Sequence, residues 1–316
     1  MGTYVARRVL QACALLIVVS LVSYGIMSVA PGGPLAVYLH NPQVTPEKID
    51  LLRHQLGLDR PWYARYLAWL GGIAQGHWGY SYYTGRPVLE MITERLPATF
   101  TLMLSAFTLA LALAFPLGVF AATHKYSWGD NLLSFGSFFA WAMPTFWFGL
   151  MLQLVLAVHL RLLPVAGMRE IGSTSALDLL RHLAMPAMVL GLGSIASWSR
   201  YLRSSVLEVL GQDYVRTARA KGLPGRRVLN RHVLRNSLIP IVTLMGLDLH
   251  ALFSGAVITE SIFGWPGMGR LFLSALNNRD YPLQMAGLMI SAALLIAGNL
   301  LADLAYAALD PRIRYQ

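Results

Sequence analysis

Charged residues cluster along the chain, and the stretches between clusters are long and apolar. Residues 9–30 follow Arg7 and Arg8 and carry no charge. Residues 96–124 run uninterrupted between Arg95 and Lys125, residues 131–160 between Asp130 and Arg161, and residues 182–199 between Arg181 and Arg200. Residues 236–269 contain only Asp248 and Glu260, and residues 281–302 lie between Asp280 and Asp303. A hydrocarbon core about 30 Å thick is crossed by roughly 20 apolar residues of helix. The pattern therefore predicts six membrane-spanning helices, with both chain ends on one side. The first is read as a retained helix. Ser28, Val29 and Ala30 resemble a cleavage site, but the apolar run is too long for a signal peptide, and Pro31 follows it.

Two polar stretches carry helical signals of their own. In the outer segment, residues 31–95, Thr45, Pro46 and Glu47 supply an N-cap, a first-turn proline and a first-turn acid. Pro61 starts a second helix, on which Trp62, Tyr66, Trp69, Leu70 and Ile73 share one face. That face suits a helix lying at the membrane interface and equally a cap over a pore mouth. After the fourth span, Asp213 is placed to cap a short helix over 214–221 that Gly222 and Pro224 end. Pro224 and Gly225 then allow a second start, through Arg226, Arg227, Arg231 and Arg235 toward Pro240. By spacing alone this is either a rigid knob or a solvated basic loop.

Composition agrees with the membrane reading. Hydrophobic residues make up 56% of the 316 and charged residues 13%, about half the share of a soluble domain. A soluble enzyme and a disordered chain are both excluded. The single cysteine, Cys13, allows no internal disulfide. The net charge of +10 is uneven along the chain. Fourteen of the 25 Lys and Arg fall in residues 1–8, 123–130, 200–237 and 310–316. Positive residues mark the cytoplasmic side, so both termini are expected there, in a prokaryotic cytoplasmic membrane. The basic excess is then a topology signal rather than a nucleic-acid footprint.

Catalytic signatures are missing from the sequence. A nucleotide-binding P-loop ends in Gly-Lys followed by Ser or Thr, whereas Lys48, Lys125 and Lys221 follow Glu47, His124 and Ala220. No esterase elbow or zinc-binding H-E-x-x-H is present either. Any nucleotide hydrolysis belongs to another chain. Two acids stand out instead. Asp248 lies in the middle of the fifth span and Glu260 twelve residues on, about 18 Å along a helix. Intramembrane acids are costly and usually face a pore or a partner, so both are candidates for a solute path. Ala187, Gly191, Gly193, Ser194, Ala196 and Ser197 predict close packing of the fourth span.

The run Asp213, Tyr214, Val215, Arg216, Thr217, Ala218, Arg219, Ala220, Lys221, Gly222 closely resembles the EAA loop of ATP-binding-cassette importer permeases, in the form of the dipeptide/oligopeptide/nickel subfamily. Leu56 to Pro61, Glu260 to Arg270, Arg279 to Pro282, Asp303 to Tyr306 and Asp310 to Arg314 resemble further subfamily segments in the same order. The long outer segment resembles that of the first, B-type, permease of such systems. Departures exist: Arg216 stands where the general pattern has Glu, Gly33 and His77 where acids are expected, and Asp248 where an amide is usual.

The resemblance implies an all-α membrane protein with the type I importer permease fold. Residues 1–95 would form the first helix and outer segment, 96–310 a five-helix core, and 311–316 a cytoplasmic tail. It implies that residues 213–222 couple the chain to ATPases. The chain itself would hold no cofactor; ATP and Mg would be used by two partner ATPase subunits. A second homologous permease, an extracytoplasmic substrate-binding protein and membrane lipid complete the implied partners. Di- or oligopeptides are the expected solute, with glutathione and nickel chelates as alternatives. A stand-alone secondary transporter is the rival, but its characteristic internal repeat is not visible.

Overall fold

A computed structural model of the chain describes residues 2–29, 33–35, 44–55 and 57–309. Leu56 and residues 310–316, which carry parts of two motifs above, lie outside the described residues, as do the side chains of Arg7, Arg8 and Asp303. The helices in chain order are α1 (Gly2–Val29), α2 (Pro46–Gln55), α3 (Trp62–Ala74), α4 (Val88–Thr123), α5 (Trp128–Ala142), α6 (Thr145–Leu152), α7 (Ala176–Leu210), α8 (Asp213–Ala220), α9 (Arg235–Ile262), α10 (Met268–Asn277) and α11 (Tyr281–Leu309). A π-helical stretch, Gln153–His159, prolongs α6, and the turn Gly225–Arg227 with the π-helix Val228–Leu234 leads into α9. Described residues form no strand; one isolated bridge joins Tyr80 and Pro87.

Among the described residues four helices are long and apolar enough to cross a membrane, and α5 with α6 makes a fifth if the bent pair is one span. The fifth expected span falls on α9, 28 residues long, several of whose side chains are not described. The expected span at 131–160 is bent: the segments Trp128–Ala142 and Thr145–His159 meet at 106°. Pro144 is the cause. It crowds the preceding residue out of the helical region, and Met143 is extended at φ −82°, ψ 125°.

The chain divides into two compact units. One comprises residues 1–97 and 267–296, so the chain after α9 joins the segment expected at 1–95. Its core gathers Val88, Ile92, Met268, Ala275, Leu283 and Ala286. Buried Asp280 stitches the turn before α4: its carboxylate accepts from the Ser81 hydroxyl and, at 3.0 Å, from the Tyr82 amide. In the same unit α3 lies against α1, with the Tyr66 and Ser20 hydroxyls 2.9 Å apart and Tyr24 edge-on to the Tyr66 ring. Trp62, expected to share one apolar face with Tyr66, is exposed where Tyr66 is buried.

The other unit comprises residues 98–266 and 297–316. Here α4 and α7 approach closely through small residues. A Cβ on Gly191 would stand 3.0 Å from the Ala106 carbonyl oxygen, and Ala106 packs on Ala187. The Gly118 position is tighter, at 2.8 Å from the Ser199 carbonyl oxygen. The α5 start is tied to α7 by Asp130, whose buried carboxylate accepts two bonds from Arg203, 2.6 Å from Nε and 2.7 Å from Nη2.

Candidate functional site

The helix α8 is short because both ends are fixed. Its N-cap is Gln212, extended at φ −74°, ψ 147° and without a side-chain cap bond. Asp213, expected as the cap, is instead the first helical residue, where its carboxylate still complements the helix dipole. At the other end the Gly222 amide bonds the Arg219 carbonyl at 2.9 Å, and the Leu223 amide bonds the Ala218 carbonyl at 3.3 Å. This paired closure needs a left-handed residue, and Gly222 has φ +76°.

Only one face of α8 is buried. Val215 and Ala218 pack into the cluster of Ala122, Leu202, Val206, Val228, Val233 and Ile241. Each methyl(ene) so buried contributes about 0.8 kcal/mol, which seats the helix on α4, α7 and the lead-in to α9. Tyr214 is half-exposed, and its hydroxyl accepts from Asn236 Nδ2 at 2.9 Å. The start of α9 is joined to α7 in turn. Ser205 donates to the Ser237 carbonyl at 2.9 Å, and Ser237 back to the Ser205 carbonyl at 3.3 Å. Packed contacts and hydrogen bonds thus join α8 to the ends of two long helices. Arg216, Thr217, Arg219, Ala220, Lys221 and Gly222 are exposed on the opposite face. The Arg216–Asp213 pair, at 3.4 Å and fully on the surface, adds little.

The two intramembrane acids occupy different settings. Asp248 is partly exposed, and its Oδ2 accepts from Trp198 Nε1 at 2.6 Å. Trp198 is fully buried among Ala110, Ala114 and the edge-on ring of Phe107. Glu260 is fully buried, and its Oε1 accepts from the Thr99 hydroxyl at 2.6 Å. Beside it, Trp265 Nε1 donates to the Ala98 carbonyl at 2.8 Å and its ring fills a cluster with Leu102 and Leu183. The structure thus gives each acid a helix-to-helix partner and does not bring the two acids together. Sequence reading missed Trp198, Thr99, Asp130 and Arg203. Asp130 was visible only as a charge bordering a span, and Arg203 only as one of the basic residues in 200–237.

Comparison with known proteins now decides the family. Residues 114–315 match the family described as the binding-protein-dependent transport system inner membrane component, and residues 1–103 match the N-terminal family of such components. The chain belongs to this family of transport permeases. It is 43% identical to the oligopeptide transport system permease protein AppB of Bacillus subtilis, with all of both chains covered. It is 36% identical to the dipeptide transport system permease protein DppB of Escherichia coli K12, covering 99% of each. A di/tripeptide permease of Pseudomonas aeruginosa is 38% identical over the full length of both. Among solved structures, an inward-facing methionine transporter, MetNI, superposes with a TM-score of 0.56 at 13% identity, covering 71% of this chain and 98% of that one. That likeness concerns the fold alone: an all-α, type I importer permease. The permease is a membrane component without a nucleotide site of its own; its P-loop-free sequence fits that role.

Proposed function

We propose that this permease carries di- or oligopeptides across the cytoplasmic membrane as the B-type subunit of an ATP-driven importer. The observation that carries the solute class is full-length similarity to three peptide permeases from distant bacteria. In this reading both termini are cytoplasmic, and α8 docks on an ATPase subunit through its exposed basic face. Two ATPases use ATP and Mg, a second homologous permease completes the pore, and an extracytoplasmic binding protein delivers the peptide. Closure of the ATPases moves α8, and the Tyr214–Asn236 and Ser205–Ser237 bonds pass that movement to α7 and α9. Asp248 lends negative charge to the solute path, attractive to a peptide's free amino group but weak enough to permit release.

The test is reconstitution of the chain with its second permease, ATPases and binding protein in vesicles. Uptake of labelled dipeptide or oligopeptide should require ATP inside and binding protein outside. Uptake driven by an ion gradient with this chain alone would overturn the importer reading. Uptake of nickel chelates or glutathione in place of peptides would overturn only the solute.

A further inference from the structure

The first unit holds a cavity of about 390 Å³ that the transport cycle above does not use. Its walls come from the last turns of α1 (Tyr24, Met27, Ser28), from Trp69 on α3, and from the first turn of α11. Two arginines line it, Arg60 and Arg65. Arg60 is brought there by the turn at Gly57, whose φ of +61° lets the Arg60 amide bond the Gly57 carbonyl at 3.1 Å. The described part of that motif, Gly57 to Pro61, is thereby given a structural purpose. Arg65 has its Nε shut off from solvent and without a hydrogen-bond partner among the described residues. An atom closed to water is not one that a cavity ligand meets, so Arg65 acts on the cavity through its charge and through the other side-chain atoms that line it.

Among the described residues no carboxylate lines the cavity to neutralise its arginines. The acid nearest in sequence, Asp59, is engaged by His54 Nδ1 at 3.1 Å. The ligand must bring its own negative charge. It must also reach the cavity from beside α1, whose Val18, Val22, Ile26 and Val29 are each more than half exposed and face lipid in a membrane. Aromatic and methionine walls under a pair of guanidiniums match the junction of acyl chain and headgroup, where Trp and Tyr concentrate.

We infer that this cavity binds the phosphate of an anionic phospholipid headgroup, held by Arg65 and Arg60. With the orientation proposed above, the lipid lies in the outer leaflet. Two cations and no acid favour phosphatidylglycerol over phosphatidylcholine, whose choline would be repelled.

The experiment is native mass spectrometry of the full-length chain in mild detergent, titrated with phosphatidylglycerol, phosphatidylcholine or glycerol 3-phosphate. Phosphatidylglycerol should be retained roughly tenfold better than phosphatidylcholine, because both offer a phosphate but only the choline is repelled by the two guanidiniums. Arg65→Gln should abolish that preference, Arg60→Gln should reduce it, and Arg65→Lys should keep part of it. Equal retention of the two lipids, or a preference unchanged in Arg65→Gln, overturns the assignment. Displacement of the lipid by equimolar glycerol 3-phosphate would assign the site to a soluble anion instead, and overturns it too. If Arg65→Gln fails to fold, Arg60→Gln decides in the same way. Because lipid retention needs no transport, failure of the importer reading leaves this measurement intact.

Discussion

At Gly222 the backbone conformation, and not the space around it, restricts the residue. A Cβ there would meet nothing within 4 Å, but φ is +76°, and a left-handed conformation costs an ordinary residue about 1–2 kcal/mol. Gly222→Val should loosen the end of α8 and lower coupled peptide uptake roughly 5- to 30-fold, while ATP hydrolysis continues. Gly222→Asn should retain most of the uptake, because Asn tolerates the left-handed region. Uptake unaffected by valine would mean that α8 is a passive loop. Asp248 poses a different question, since one carboxylate serves both Trp198 and the proposed path. Asp248→Asn removes the charge but keeps an oxygen able to accept from Trp198 Nε1. Uptake of cationic and zwitterionic peptides should fall while the thermal midpoint of the complex holds. Trp198→Phe should do the reverse, destabilising by about 1–3 kcal/mol through the space it leaves at a fully buried site beside Ala110 and Ala114. A destabilised Asp248→Asn complex would assign Asp248 to packing alone. The acid was visible in the sequence because charge in an apolar run is conspicuous. Its partner was not, because Trp198 lies 50 residues away on another helix, and periodicity shows a face but not what meets it.

Between elements, the contact of α4 with α7 depends on missing side chains. The Cβ of an alanine at Gly118 would lie 2.8 Å from the Ser199 carbonyl oxygen and 2.9 Å from Leu202 Cβ. Neither backbone nor Cβ can step aside cheaply, so Gly118→Ala should destabilise by about 1–3 kcal/mol. Gly193 lies on α7 with nothing within 4 Å of its Cβ, and Gly193→Ala should be neutral or slightly stabilising. Thermal unfolding in detergent compares the two directly; equal effects would remove close packing as the explanation. The sequence carries this contact on both sides. The small residues of the fourth span mark one, and Ala106, Ala110, Ala114 and Gly118, recurring every four residues on α4, mark the other as a small-residue stripe on one helix face. The 106° bend at Pro144 was legible in principle. Counting charge-free residues measures apolarity and not helical continuity, so the proline passed unweighed. The start of α3 at Pro61 and the end of α8 at Gly222 were legible because Pro and Gly act locally, within a turn of where they stand; the N-cap of α8 was not, being Gln212 and not Asp213.

For the whole molecule, apolar exposure and charge asymmetry define how the chain sits in the bilayer. The exposed faces of α1 and of the bent pair, with Phe135, Trp141 and Trp147 among them, need lipid or another subunit to cover them. Exposed basic residues collect instead around α8 and the lead-in to α9, at Arg216, Arg219, Lys221, Arg226, Arg227, Arg231 and Arg235. Positive residues resist translocation, so the proposed orientation has α8 in the cytoplasm with the ATPases and α2 outside with the binding protein. Single cysteines test this once Cys13 is replaced by alanine. Lys48→Cys on α2 and Arg226→Cys after α8 both fall at exposed positions, so neither substitution disturbs the core. In intact cells a membrane-impermeant maleimide should label position 48 at once and position 226 only after the membrane is opened. Added ATPase subunits should then protect position 226 in inverted vesicles, since it borders the docking face. Labelling of 226 from outside would reverse the orientation and separate α8 from any cytoplasmic ATPase, and the coupling proposal would fall with it.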